Sequence, residues 1–218
     1  MKGIYKTSIN EYTLDEINTN KHKKREELQK RKNRRKDEKE RMIEEFARGK
    51  IGEFYVSEDK FTVGSCMLDS ENAVLIEAID PQGKWDGYYW FKKNTLTEVN
   101  YDTKYLNKIE LYREYWNNNH DNCASIKLSD LSINIIDLIK IAKQNNVIIT
   151  IRRDSEEELD TGFVTSIDGN SIKMECINLE TAELLETIDV EIDKINFLEI
   201  DSPDNRLLEY AYLKKKND

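Results

Sequence analysis

The chain has 218 residues, 38% hydrophobic and 35% charged, with a formal net charge of −9. That length allows one or two domains, and no stretch approaches the roughly 18 apolar residues of a membrane-spanning helix. Three cysteines, Cys66, Cys123 and Cys176, with no CxxC pair, argue against a disulfide framework or a zinc ribbon and fit a reduced, cytoplasmic setting. The N-terminus carries no apolar h-region, so secretion is not expected. The charge is uneven. Residues 1–50 hold 16 Lys/Arg against 10 Asp/Glu, and the remainder holds 18 against 33, a basic arm on an acidic body.

In chain order, residues 13–49 are predicted to be mostly helical, with Thr13 as N-cap and Glu16 at capping-box spacing. Between His22 and Arg41 the only large apolar side chain is Leu28, so this helix has no face to bury. Its basic side chains, Lys23, Lys24, Arg25, Lys30, Arg31, Lys32, Arg34, Arg35 and Lys36, suit phosphates or an acidic partner. The alternative is a solvated helix that maintains solubility or pairs with the acidic body. A short apolar stripe, Met42, Ile43, Phe46 and Ala47, follows.

From there the chain repeats itself. VGSCMLDSENAVLIEAID (63–80) and TGFVTSIDGNSIKMECIN (161–178) align with an offset of 98, matching Gly64 to Gly162, Asn72 to Asn170 and Glu77 to Glu175. Upstream the offset is 96, pairing Ile51, Glu53 and Tyr55 with Val147, Ile149 and Ile151, which places two extra residues in the second copy's next loop. Each copy then reads as strand, polar turn, strand: Phe61–Leu68 and Ala73–Ile79 in the first, Gly162–Ile167 and Ser171–Ile177 in the second. The turns use Asp, Asn and Gly, which tolerate left-handed backbone. A fourth strand follows (Trp85–Phe91, Leu185–Glu191), then a fifth holding Leu96 and Val99 or Ile195 and Leu198. Each copy closes on a helix, capped by Thr103 or by Ser202 with Pro203 and Asp204 behind it.

The fold expected is mainly β with helices (α+β): a basic helical arm (1–41), a first five-stranded barrel with flanking helices (42–117), a linker (118–129) and a second such barrel (130–218). Closure into small barrels would remove exposed strand edges. The order of elements and the run Gly162 to Asn170, echoed from Gly64 to Asn72, resemble the Sm-like barrel of Sm, LSm and Hfq proteins; a generic SH3-like barrel has a similar pattern. The Sm-like resemblance implies a loop that contacts RNA bases at Asp69, Asn72, Asp168 and Asn170. It also implies assembly through the edges of strands four and five. On turn propensity alone the same four residues read as hairpin chemistry.

The first copy alone carries an aromatic fourth strand with Trp85, Tyr88, Tyr89, Trp90 and Phe91. Alternation cannot send every ring into one core. The rings either pack against the second copy or a flanking helix, anchor a protein interface, or stack on bases. Asp154, Glu156–Glu158 and Asp160 lack calcium-loop spacing and read as a solvated acidic loop. With no catalytic motif, only two histidines (His22 and His120) and no metal-ligand or cofactor pattern, the reading is a non-enzymatic binding or adaptor protein of a bacterial-type cytoplasm. The acidic barrels would meet a protein partner and the arm nucleic acid or an acidic partner, in a monomer or dimer. The rival is direct RNA binding through the barrels, which the acidic body opposes.

Overall fold

A computed structural model of the protein describes residue 46 and residues 49–119, 126–127, 130–154 and 158–217, with 117–119 and 217 as backbone only. The predicted arm helix and its nine basic residues lie outside the described residues, as do Met42, Ile43 and Ala47. Phe46 is buried and its ring stacks on Phe54 at 5.8 Å.

The first copy holds β1 (Ile51–Tyr55), β2 (Phe61–Asp69), β3 (Ala73–Ile79), β4 (Trp85–Lys92), β5 (Glu98–Asn100) and helix α1 (Lys104–Asn119). The second holds helix α2 (Ile135–Asn145), β6 (Ile149–Arg153), β7 (Asp160–Asp168), β8 (Ser171–Ile177), β9 (Leu184–Glu191), β10 (Ile195–Ile200) and helix α3 (Pro203–Asn217). The turn signals set the hairpin limits well: β3 and β8 span the residues that the sequence pattern marks. The helix caps follow as well. The Thr103 hydroxyl accepts from the Leu106 amide at 3.1 Å and the Ser202 hydroxyl from the Asn205 amide at 3.2 Å. Asp102 and Asp201, one residue before each cap, share a left-handed backbone with φ of 61° and 64°.

The ten strands make one antiparallel sheet in the order β5-β1-β2-β3-β4-β10-β6-β7-β8-β9. This differs from the expectation of two closed barrels. Each copy's five strands keep the same internal order, but neither set closes on itself. Instead β4 of the first copy pairs with β10 of the second, joining Tyr88–Phe91 to Ile200–Phe197. The edge that closure would have hidden is hidden by the other copy, which serves the same physical need. Residues 45–218 accordingly form one compact unit.

The duplication extends to irregularities. Both second strands carry a bulge at the same place, between Cys66 and Leu68 and between Val164 and Ser166, 98 positions on (164 − 66 and 166 − 68). Such bulges bend the strand locally. The matched glycines share one role, close approach of the neighbouring strand. A Cβ on Gly64 would meet the Glu77 carbonyl oxygen at 2.6 Å, and one on Gly162 the Glu175 carbonyl oxygen at 2.1 Å.

Pairing registers correct the alignment of the first strands. Glu53 lies opposite Val63 and Thr150 opposite Thr161, an offset of 97 (150 − 53) where 96 was expected, so the second copy's loop holds one extra residue. The slip went unseen because Glu53 and Thr150 are polar yet buried. Each is satisfied by the end helix of its own copy: Thr103 donates to the Glu53 carboxylate, and the Thr150 hydroxyl donates to Asn205 Oδ1 at 3.1 Å. A one-residue slip reverses every side chain in a strand, so these bonds decide the face.

The main core is shared. Leu138, Ile139 and Ala142 of α2 pack with Ile149, Ile151, Met174, Val190 and Leu198 of the second copy, and with Ala73, Leu75, Tyr88 and Trp90 from β3 and β4 of the first. The outer face of one copy is part of the interior of the other.

Candidate functional site

The aromatic strand is the seam between the copies. Tyr88 and Trp90 are 1% and 5% exposed, and Phe91 is buried. The Trp90 indole N–H donates to the Ile133 carbonyl at the start of the second copy, at 2.8 Å. On the opposite face Tyr89 and Phe91 flank Phe197 of β10, with ring centroids 5.4 and 5.1 Å away. Trp85, half-buried, packs edge-on to Tyr88, and the Arg206 guanidinium of α3 lies 5.3 Å from the Trp85 ring centroid. Of the readings open to these rings, packing against the second copy is the one that the geometry realises. The Lys92 ammonium reinforces the seam, bonding the Asp193 carbonyl at 2.6 Å and lying 3.6 Å from the Asp154 carboxylate.

One end of the seam gathers carboxylates. Tyr89, directly opposite Glu199 in the β4–β10 pairing, donates its hydroxyl to Asp86 at 3.0 Å. The Ser202 hydroxyl donates to Glu199. Burial, with Asp86 and Asp204 adding like charge, pushes the Glu199 carboxyl up to about 7. Burial pushes Asp86 up to about 6, opposed by the Tyr89 hydrogen bond. The Tyr89 hydroxyl is held well above its ordinary value by its own burial and by these acids. Gly87 sits in the same place with φ +89°, and a Cβ there would meet the Ser202 backbone at 2.8 Å.

The four residues of the Sm-type loops lie at two separate hairpin ends. Asp69 pairs with Lys93 at 2.6 Å, and the Asn72 carbonyl accepts from the Lys93 amide at 2.9 Å. In the second copy the Asn170 carbonyl accepts from the Ile192 amide at 2.8 Å, while Asp168 pairs with Ser171 across the turn beside Gly169, whose φ is 58°. Asn72 and Asn170 thus make the same backbone bond, from the hairpin to the 3-10 turn that follows the fourth strand. Asn72, Asp168 and Asn170 are exposed.

Of the acidic loop, Glu156 is outside the described residues, as is Glu157. Asp160 pairs with Arg153 at 2.9 Å. Among the described residues no group of three or more His, Cys, Asp or Glu side chains is arranged to hold a metal. Cys66 and Cys176 are buried, and burial pushes the Cys176 thiol up to about 11. No helix among the described residues is long and apolar enough to cross a membrane.

What sequence reasoning missed is the pair of strands at the ends of the sheet, β5 and β9, each unpaired on one side among the described residues. The first is three residues long. The second is eight and carries exposed Glu186, Asp189 and Glu191 with Leu184 and Leu185 (52% and 60% exposed). Charges along a strand are the signature of an edge, and this one was legible in LLETIDVE. No protein-family model, curated protein or solved structure matches this chain.

Proposed function

We propose that the chain is a non-enzymatic binding or adaptor protein built from two fused Sm-like units, with an acidic body that engages a protein partner and a basic arm that engages nucleic acid or a second, acidic partner. The observation that carries this reading is the β4–β10 seam. It is a strand-four to strand-five contact, the kind the Sm-like resemblance implies between subunits, and here it lies inside one chain. The matched bulges and the repeated hairpin-to-turn bonds support two copies of one unit. The burial of Tyr88 and Trp90 in the seam supports a packing role for this strand over base stacking. The body beyond residue 50 keeps 18 Lys/Arg against 33 Asp/Glu, which repels phosphates.

The test is an electrophoretic mobility shift with single-stranded RNA and duplex DNA at two salt concentrations. It compares the full chain with a full-length variant in which the nine arm residues are replaced by Gln. The expected result is salt-sensitive binding that disappears in the variant. Tight binding that survives neutralisation of the arm would overturn this reading in favour of RNA contact through the Sm-type loops.

A further inference from the structure

The two copies treat their fourth strands differently. In the first, Tyr88–Phe91 of β4 is covered along its outer edge by β10. The β8–β9 register places the equivalent residues 99 positions on (187 − 88), at Thr187, Ile188, Asp189 and Val190. Among the described residues nothing pairs with that edge. It offers a row of backbone donors and acceptors, the template for strand addition.

Chemistry narrows the occupant. From Glu183 to Asp193 the chain carries five acidic side chains and no basic one. Among the described residues lysines partner two of the five, Glu183 with Lys215 at 3.1 Å and Asp189 with Lys173 at 3.8 Å. Leu184 and Leu185 add exposed apolar surface at one end. A second copy of the chain would bring its own fifth strand, β5. In the register that β10 uses, Glu98 would stand opposite Val190 and Val99 opposite Asp189. That strand is three residues long and holds no basic residue, so it would cover little of the edge and answer none of its acidic side chains. Head-to-tail pairing of copies through β5 therefore leaves the acidic row unanswered.

We infer that the β9 edge takes an extended, lysine- or arginine-rich segment of a partner protein, added as an eleventh strand over Thr187–Val190. Backbone hydrogen bonds would supply a sequence-tolerant grip, the acidic row the preference for basic residues, and Leu184 and Leu185 a contact for an apolar side chain at the segment's end. This rests on the adaptor reading and names its partner's chemistry.

The experiment uses the full chain and a synthetic peptide in which lysine alternates with valine. Amide hydrogen exchange is followed by mass spectrometry, and affinity by fluorescence anisotropy. Protection should rise in residues 184–191, and the matching glutamate–valine peptide should give none. The full-length variant E186K/D189K/E191K should lose binding by about tenfold or more, since three acidic charges along the edge strand are reversed. A milder E186Q/E191Q variant should lose a few-fold, which guards against misfolding of the first. Absence of protection at 184–191, or equal protection by the acidic peptide, overturns the inference. So does concentration-dependent protection of 98–100 and 184–191 without peptide, which marks a second copy as the occupant. Each of these outcomes leaves the mobility-shift result, and with it the adaptor reading, to stand or fall separately.

Discussion

Replacing Glu199 by Gln should stabilise the protein above neutral pH and flatten its pH dependence. Glu199 lies half-buried at the seam, accepts from Ser202, faces Tyr89 across the strands and has Asp86 and Asp204 as acidic neighbours. Its carboxyl is raised from 4.5 to about 7, so the folded protein holds this proton more tightly than the unfolded chain does. Stability from this group is greatest below pH 4.5, falls as pH rises towards 7, and is level above. At 1.36 kcal/mol per pH unit, the carboxylate costs about 3 kcal/mol at pH 8. Gln keeps the oxygen that accepts from Ser202 and never ionises. Its new amide N–H groups forfeit about 1 kcal/mol if poorly satisfied. The net expectation is a gain of about 2 kcal/mol at pH 8 and a small loss near pH 4.5. Urea unfolding at both pH values, with the m-value as a check on two-state behaviour, measures it. An unchanged pH slope, or a variant weaker than the parent at pH 8, would refute the reasoning.

Gly87→Ala should cost about 3 kcal/mol, because φ of +89° and a 2.8 Å approach to the Ser202 backbone both exclude a side chain; a loss below about 1 kcal/mol in urea unfolding would show that the seam yields. Trp90→Phe should cost about 1–2 kcal/mol by leaving the Ile133 carbonyl without its indole donor, and Trp90→Ala about 4 kcal/mol by opening a cavity in the shared core. Equal losses in the two Trp90 variants would mean that the hydrogen bond, and not the packing, holds the ring.

Local chemistry was the legible part. Thr103 and Ser202 read as caps because capping needs only a hydroxyl and the next few amides. The turns after Asp69 and Asp168 read as hairpins because their residues tolerate turn backbone. Gly64 and Gly162 were legible as a repeat but not as a reason, since the carbonyls that forbid a Cβ belong to the neighbouring strand. The repeat offset between β1 and β6 is 97 and not the expected 96, because the matching residues, Glu53 and Thr150, are polar inside the protein and do not look alike in sequence. The aromatic strand left its outcome open for a related reason. A run from Trp85 to Phe91 without alternation is what a strand buried on both faces looks like, but its partner, Phe197 to Ile200, lies far along the chain and leaves no local trace. The β9 edge leaves a local trace in the charges of LLETIDVE, but which neighbour a strand lacks depends on the sheet order and not on the strand itself.

The seam also sets an order of events at birth. Tyr88–Phe91 must wait for Phe197–Ile200, a strand made roughly a hundred residues later, so the pairing is among the most non-local contacts in the chain and slow to form. During synthesis the first copy emerges with its most aromatic strand uncovered, and the strand that shields it is made after the rest of the second copy's sheet. Until that strand arrives the nascent chain displays a sticky, unpaired edge, the form in which chains cross-associate. Fusion of the two copies answers the hazard by keeping the shielding strand on the same polypeptide, where it arrives at a fixed local concentration whatever the expression level.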